Sequence, residues 1–583
     1  MAEPLKPPPS TPSADRPADK KAARRIVYVK TDAATHRAGG GARRPTPPQP
    51  KGPDKPPATR QIELPLGDLR QEQMAATLLK AAKLHRAGKR KDAEQLYRAI
   101  LAADPFNGDA LHLLGLILND RGQRDDAAQS IEKAIRLNER NPNFHNSLGV
   151  VLLGMKRGLD ARRCFERVLE LEPDSIDAHY NLGVEAHERG AVDEAVRHYQ
   201  DTLGRNPDHA GALNNLAAIE LDRDNLRVAE TLSRRVVAIQ PRSTTAWKNL
   251  GRALRHQGLI AEADAAFGKA LEIAPDDVEA AFGRAMTTLL AGNLLEGFQQ
   301  YQVRYRMKDN PPRYQDRPMW RGEALPGRTL LIHTEQGLGD AIQFARYIPI
   351  AAVSKARIVV ECHSPLARLF ARIQGVADVV ARGNPVPQFD VQVPLMELPR
   401  IFRTKLNTIP TNLPYLSVDE AWHRENRPLA KAPAQSLKIG LCLGTGSRMR
   451  GASRKALPLD RVREILRSGA AHFVNLQKDA APETVALFEL HGADDPSPGF
   501  VDMATTAAMI AKLDLVISID TSVAHLAGAL DKPTWLLLAF AKDWRWLLDR
   551  PDSPWYPSMR LFRQSTPGDW AGPVAEILAA LRA

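Results

Sequence analysis

A 34-residue beat constrains this chain more than any other feature of it. Ala93, Ala127, Ala161, Ala195, Ala229 and Ala263 recur at that interval, and Gly115, Gly149, Gly183 and Gly251 keep the same interval in a second column. Two independent small-residue columns at one period mean stacked copies of a single supersecondary unit, none of which can bury its apolar face alone. Pro105, Pro173, Pro207, Pro241 and Pro275 form a third column, with Glu139 in the slot that lacks proline. Proline has no N–H to continue a helix, so this column closes the second helix of each unit. Tyr97, Ile131, Phe165, Tyr199 and Phe267 occupy a bulky column that fills the space left by the small ones.

The pattern is that of tetratricopeptide repeats, with six full copies and a degenerate seventh between residues 74 and 311. Such a stack curves into a superhelix with an extended concave face. Asn181, Asn215 and Asn249 share one position on the first helix of three successive repeats. Asparagine is a mediocre helix former, so propensity does not explain the column. Its amide both donates and accepts, which suits a ladder that clamps the backbone of an extended acceptor chain. The alternative is that asparagine belongs to the repeat consensus. On the clamp reading, replacing all three with alanine leaves the array folded or more stable, because alanine is the better helix former.

The 583 residues carry a formal charge of +12, which at first suggests a polyanion partner. The first 60 residues hold 13 Lys/Arg and 5 Asp/Glu, so about +8 of that charge sits in a Pro-rich tail and a nucleic-acid partner is not expected. Residues 1–70 lack the large apolar side chains needed to offset chain entropy and read as disordered, apart from the β-prone island Ile26-Val27-Tyr28-Val29. Cys164, Cys362 and Cys442 are too few and too scattered for a disulfide framework or a zinc site. The N-terminus has no apolar segment resembling a signal peptide, and no run approaches the length of a membrane span, so a cytoplasmic location is expected.

Beyond about Arg328 the pattern changes to β-rich apolar runs alternating with helices. A first unit, 328–433, opens with the strand Thr329–His333, breaks at Gly337-Leu338-Gly339-Asp340, and continues with a strand at Arg357–Glu361 and a helix near Pro365–Ile373. Its Pro-rich remainder reads as loop. A second unit, 434–583, has strands near Lys438–Leu443, His472–Gln477, Asp514–Ile519 and Thr534–Leu538, and a last helix near Pro573–Arg582 placed to pack across both halves. Two such lobes flanking a cleft make the GT-B glycosyltransferase architecture the leading candidate, in which the first lobe is expected to take the acceptor and the second a nucleotide-sugar. The expected fold class is therefore an α-helical repeat superhelix followed by two Rossmann-like α/β lobes.

The Gly337-Leu338-Gly339-Asp340 turn lacks the third glycine of a dinucleotide fingerprint, since Ile342 stands in its place, and Asp340 would repel a pyrophosphate seated there. The same carboxylate, at the tip of a strand, can instead take the proton of an attacking hydroxyl, or it can simply cap its helix. In the second lobe, Asp520-Thr521-Ser522 opens a small-residue helix whose free N–H groups make an anion site. His525, one turn in, adds a hydrogen bond or a proton there, unless it is a packing residue. Gly444-Thr445-Gly446-Ser447 runs into Arg448, Arg450, Arg454 and Lys455, cations suited to a leaving diphosphate on one reading and a solvated basic loop on the other. No Asp-x-Asp pair follows Arg328, so no metal is expected and these cations would carry the leaving group's charge. Gln477 and Met503 lie on strand-end loops where a nucleotide base can sit.

The Gly-Leu-Gly-Asp turn, the Asp520–Leu530 segment and the strand Trp535-Leu536-Leu537-Leu538 resemble heptosyltransferase-type GT-B enzymes. Fused to an asparagine-laddered array, and followed by Asp543-Trp544-Arg545-Trp546 and Trp555-Tyr556-Pro557, they resemble the bacterial relatives of O-GlcNAc transferase, including repeat-containing glycosyltransferases that modify flagellin. The resemblance implies that Asp340 is the catalytic base, that Asp520 to His525 holds the donor phosphate with Ser522 in place of the family's glycine, and that Lys455 falls near a phosphate-binding lysine. It implies an inverting, metal-independent transfer of sugar from a nucleotide-sugar to a protein acceptor, with flagellin as the acceptor it suggests, and no other cofactor. A transferase acting on lipopolysaccharide or another glycan, and a scaffold with an inactive catalytic region, are the alternatives.

Overall fold

The computed structural model describes residues 71–425, 429, 436–444 and 455–583. The expectations for the tail at 1–70 and for the loop at 445–454, which includes Arg448, Arg450 and Arg454, lie outside the described residues.

The first part is a stack of helical hairpins. Helices α1 (Gln71–Arg86) and α2 (Arg90–Ala103), α3 (Gly108–Asp120) and α4 (Arg124–Leu137), and α5 (Pro142–Gly154) and α6 (Gly158–Leu171) form three of them. The stack continues with α7 (Ile176–Arg189) and α8 (Val192–Arg205), α9 (Ala210–Asp222) and α10 (Leu226–Ile239), and α11 (Thr244–Gln257) and α12 (Ile260–Ile273). A final pair, α13 (Val278–Leu290) and the short α14 (Leu294–Gln300), passes into a 3₁₀ turn at Tyr301–Arg306. The columns explain the stacking. A Cβ on Gly149 would lie 2.4 Å from the Phe165 ring, and one on Gly183 would lie 2.6 Å from the Tyr199 ring. Each glycine is thus the socket for the bulky residue of its own hairpin, and this close approach fixes the spacing of the two helices.

Two parallel sheets follow. The first has the order β3-β2-β1-β4, built from β1 (Thr329–His333), β2 (Arg357–Cys362), β3 (Val376–Ala381) and β4 (Val391–Pro394). The second has the order β6-β5-β7-β8-β9, built from β5 (Lys438–Cys442), β6 (His472–Asn475), β7 (Leu515–Ile519), β8 (Thr534–Leu538) and β9 (Met559–Arg563). Every neighbouring pair is parallel, so crossovers cover the sheets and the central strands β1 and β7 are almost wholly buried. The expected fold class, a helical repeat array followed by two parallel Rossmann-like lobes, is the one found.

Three strands escaped the sequence reading. β4 is four residues long inside a stretch taken as loop, β3 is a half-exposed edge strand, and β9 alternates charge with apolar residues after a turn-rich segment. The segment read as one helix near Pro365–Ile373 is a 3₁₀ turn followed by the single turn Ala367–Phe370. The last helix, Ala571–Arg582, seats Val574 and Ile577 in the apolar cluster of the second lobe, with Ile439, Ile517 and Phe562, rather than bridging the lobes.

What joins the parts is a continuous apolar core running from Leu289, Phe298 and Tyr301 of the array through Ile332 and Phe344 of the first lobe to Trp544 and Trp555 of the second. Trp544 meets Phe298 edge-on at 5.7 Å and stacks on Phe344 at 6.3 Å. Arg304, 1% exposed, pairs with Glu335 at 3.2 Å and Glu397 at 2.9 Å, pinning the end of the array to the first lobe. Arg346 donates to the carbonyls of Trp555 (2.6 Å) and Pro410 (3.1 Å), tying the first lobe to the second.

Candidate functional site

The C-terminal ends of β1 and β7 point at each other across the lobes. After β1 the chain turns into helix α15 (Leu338–Phe344), and after β7 it turns into the helix Ser522–Ala529. The two helices pack with their first turns in contact: a Cβ on Gly339 would fall 2.9 Å from the His525 ring and 3.7 Å from the Ser522 Cα. Only glycine permits that approach, which gives the second glycine of the turn a structural reason.

Between these turns lies a cleft of about 800 Å³, lined by Gly337 to Gly339 of the first lobe and by Gly444, Lys455, Gln477 and Asp520 to Ser522 of the second. The described donor-side residues singled out in the sequence thus converge on one cavity, with His525 just behind its wall. Phe500, Val501 and Met503 supply an apolar stretch of the lining, with Met503 at the start of the helix Met503–Ala511 rather than on a loop. Asp224 and His256 of the array also line it, so the cleft is walled by all three parts of the chain.

Charge in the cleft is held in pairs. The Lys455 ammonium bonds the Asp520 carboxylate. Burial alone would raise the Asp520 pKa, but Lys455, with His525 and Arg545 behind it, holds that carboxyl below its ordinary value. Thr521 makes no side-chain cap to its helix; its hydroxyl lies 3.2 Å from Ser518 Oγ instead, leaving the first-turn N–H groups uncapped by it. His525 is 4% exposed, its Nδ1 lies 2.9 Å from the Tyr556 hydroxyl, its Nε2 lies 3.9 Å from Asp520 Oδ1, and Trp546 stacks on its ring at 5.2 Å. Burial pushes its pKa down to about 4 against the pull of Asp520, so the ring is neutral at pH 7. These contacts are all with protein groups, which is the packing reading of this residue.

Asp340 is engaged at both oxygens. Oδ2 accepts from the Gly337 N–H at 3.2 Å, capping α15, and Oδ1 pairs with Arg545 of the second lobe. Arg545 also lies 3.2 Å from Asp543. Burial would lower the Arg545 pKa, but Asp340, Asp543 and, beyond them, Tyr301 and Asp520 raise it, so it stays charged. The contact with Asp340 comes from the Asp543-Trp544-Arg545-Trp546 run. Its alternation was the available signal: Trp544 faces the shared core, Arg545 faces Asp340, and Trp546 faces His525.

Gln477 sits against Gly444, where a Cβ would come within 2.6 Å of its Oε1. Buried Asn475 accepts from the Gln477 N–H at 2.9 Å and donates to Asp495 at 2.9 Å, fixing this corner of the cleft.

The asparagine column has an unexpected partner. Asn181 donates to Asn146 Oδ1 at 2.9 Å and Asn249 to Asn214 Oδ1 at 3.0 Å, while Asn215 lies 3.3 Å from the Tyr199 hydroxyl and 3.5 Å from that of Tyr180. The three are only 5–6% exposed. Most of these bonds join a residue to the one 35 earlier, and His112 with Ser147 repeats the step at 2.8 Å. The column therefore stitches neighbouring repeats together, a use the sequence reading did not foresee.

Comparison with known proteins follows the same division. Residues 78–142, 146–210 and 188–243 match one description of the tetratricopeptide repeat, and 244–277 match a second. Protein FlbA of Caulobacter vibrioides is 27% identical over 437 residues, covering 63% of this chain and 72% of FlbA. That share exceeds everything up to the end of the array at Arg306, so the similarity reaches into the lobes. The solved structure of Pseudomonas aeruginosa pilF covers 36% of this chain and 95% of its own, with 17% identity and a TM-score of 0.34. A MamA structure covers 36% and 96%, with 23% identity and a TM-score of 0.23. Among the described residues, no helix is long and apolar enough to cross a membrane.

Proposed function

We propose that this chain is an inverting protein O-glycosyltransferase that moves a sugar from a nucleotide-sugar to a Ser or Thr hydroxyl of a protein held by the repeat array. The observation that carries the reading is the three-walled cleft, in which the Gly337 to Gly339 turn, a lysine–aspartate pair at a helix start and two residues of the array meet around one cavity, with Asp340 next in the chain behind that turn. In the proposed step Asp340 takes the hydroxyl proton, the hydroxyl oxygen attacks the anomeric carbon, and the bond to the nucleotide diphosphate breaks. Lys455 and the first turn of Ser522–Ala529 take up the charge of the leaving phosphate, and the base rests between Gln477 and the apolar stretch Phe500, Val501 and Met503. Arg545 must release Asp340 before that carboxylate can accept a proton, and an incoming diphosphate offers it another anion. The transfer is proposed to need no metal, and the resemblance to flagellin-modifying enzymes makes flagellin the acceptor of first choice.

The test is to incubate the full chain with flagellin and a panel of nucleotide-sugars and to read the acceptor mass. A sugar-sized gain that Asp340→Asn abolishes supports the reading. Transfer to a lipopolysaccharide acceptor but not to protein makes the array a recruiting surface only. No turnover of any donor, with no nucleotide binding, leaves a protein-binding scaffold.

A further inference from the structure

The fourth hairpin of the array departs from its own repeat. At the position of Asp201 four of the other five full repeats carry Lys133, Arg167, Arg235 and Lys269, the first having Ala99, and at that of His198 the five carry Leu96, Ser130, Cys164, Leu232 and Ala266. His179 stands where three of them have Leu111, Leu213 and Trp247, and only His145 shares its type. One repeat has thus exchanged a cation for a carboxylate and placed two imidazoles beside it. His179 projects from α7, and His198 and Asp201, one turn apart, from the facing side of α8.

The geometry is that of convergent ligands. One ring nitrogen of each histidine and a carboxylate oxygen of Asp201 all lie within 4.8 Å of one another. His179 is 9% exposed, and its buried Nδ1, without a hydrogen-bond partner, lies 3.8 Å from Asp201 Oδ2. The Nδ1 of His198 is likewise buried and without a hydrogen-bond partner. On its other side, His179 directs Nε2 at the carbonyl of Pro173, 3.3 Å away. A donated Nε2–H there leaves the Nδ1 lone pair turned toward Asp201, the orientation that a backbone carbonyl gives a metal-bound histidine.

We propose that His179, His198 and Asp201 form a site for a zinc-type divalent ion, with water completing its coordination, that staples α7 to α8 in the middle of the array. Two imidazoles and a carboxylate suit ions of that borderline class and are a poor set for magnesium or calcium, which take oxygen ligands. Metal bonds of about 2.0–2.2 Å place tetrahedral ligands roughly 3.3–3.5 Å apart. The Asp201 side chain, which is half exposed and free to change rotamer, supplies its part of the closing to that spacing. Such an ion lies beside Tyr180 and Asn181, so it would stiffen the stretch of array that contains the asparagine column. The proposal does not depend on the glycosyltransferase reading.

The experiment is calorimetric titration of the untagged, chelator-treated full chain with Zn²⁺, repeated with Co²⁺ for its visible absorption. Asp201→Arg and His198→Ser, each restoring a residue type found in its own column, test the ligands with little risk to the fold, which far-UV circular dichroism checks. A Zn²⁺ site that each variant weakens by at least tenfold, the low end of what losing even an outer partner of a metal site costs, with a tetrahedral Co²⁺ spectrum lost in both, supports the proposal. Absence of Zn²⁺ binding by the wild-type chain, or equal binding by the variants, overturns it.

Discussion

The array and the lobes are both rich in buried polar contacts, but they make them over different distances along the chain. In the array the recurrent bond joins a residue to one 35 positions away, as in Asn181 with Asn146 and Asn249 with Asn214. In the lobes, Arg346 reaches the Trp555 carbonyl 209 positions on, and Arg545 reaches back 205 to Asp340. A repeat array adds up nearest-neighbour terms, whereas the lobes close only when distant segments arrive together. Sites requiring several groups at one point are therefore easier to build in the lobes.

The sharpest way to break this contrast is at the junction. Arg304 is buried between Glu335 and Glu397, and removing one member of such a set leaves the other charges uncompensated. Arg304→Met is expected to cost about 3–5 kcal/mol, measured by urea unfolding, and to uncouple the array's transition from that of the lobes. A single unchanged transition would show that the shared apolar core suffices.

Acid tests the lobes next. His525 stays neutral in the fold down to about pH 4, whereas in the unfolded chain it takes a proton near its ordinary value of 6.5. Unfolding therefore takes up a proton between these values, and stability falls as pH drops through that window, by up to about 3 kcal/mol once below it. His525→Gln should flatten this part of the unfolding-versus-pH curve. An equally steep curve would assign the acid sensitivity to other groups, His333 among them, whose pKa burial also lowers to about 4.

Two substitutions separate chemistry from binding at the cleft. Asp340→Asn is expected to lower transfer by ~100-fold or more while preserving nucleotide binding, because it removes a general base with little change of shape. Near-wild-type turnover would leave Asp340 as the cap and ion-pair partner already visible. Lys455→Ala is expected to weaken the nucleoside diphosphate product by about 1.5–3 kcal/mol, the worth of a hydrogen bond to a charged group. Unchanged affinity by calorimetry would move the phosphate away from Asp520.

The same contrast explains what could be read in advance. The array was legible because its period repeats: Gly149 against Phe165 and Gly183 against Tyr199 are one instruction written again and again. The cleft was legible where a strand-end turn carries its own signature, as at Gly337 to Gly339 and Asp520 to Ser522. The Asp340–Arg545 pair and the Arg304, Glu335 and Glu397 set were not, since each member alone looks like an ordinary charged residue and only tertiary closure brings it to its partner. Short strands such as β4 were hidden for a related reason: four residues are too few to show a period.

The smallest effect expected is also the one on which sequence and structure disagree. From the sequence, replacing Asn181, Asn215 and Asn249 with alanine should spare or improve the fold. The structure gives each amide a partner inside the array, so each loss costs about 0.5–1.5 kcal/mol, set against a helix-propensity gain of up to about 0.7 kcal/mol. The triple variant should therefore be mildly less stable, by thermal unfolding, and not more so. Whether the column also grips an acceptor needs a control with the same kind of structural loss, one bond between repeats, and no asparagine. Ser147→Ala supplies one, because it breaks the equivalent bond to His112. If the triple variant raises the acceptor KM by tenfold or more while Ser147→Ala leaves it unchanged, the amides serve the acceptor as well as the array. If both variants change stability alone, the column is stitching between repeats, and acceptor choice is made at the cleft mouth, where Asp224 and His256 meet the lobes.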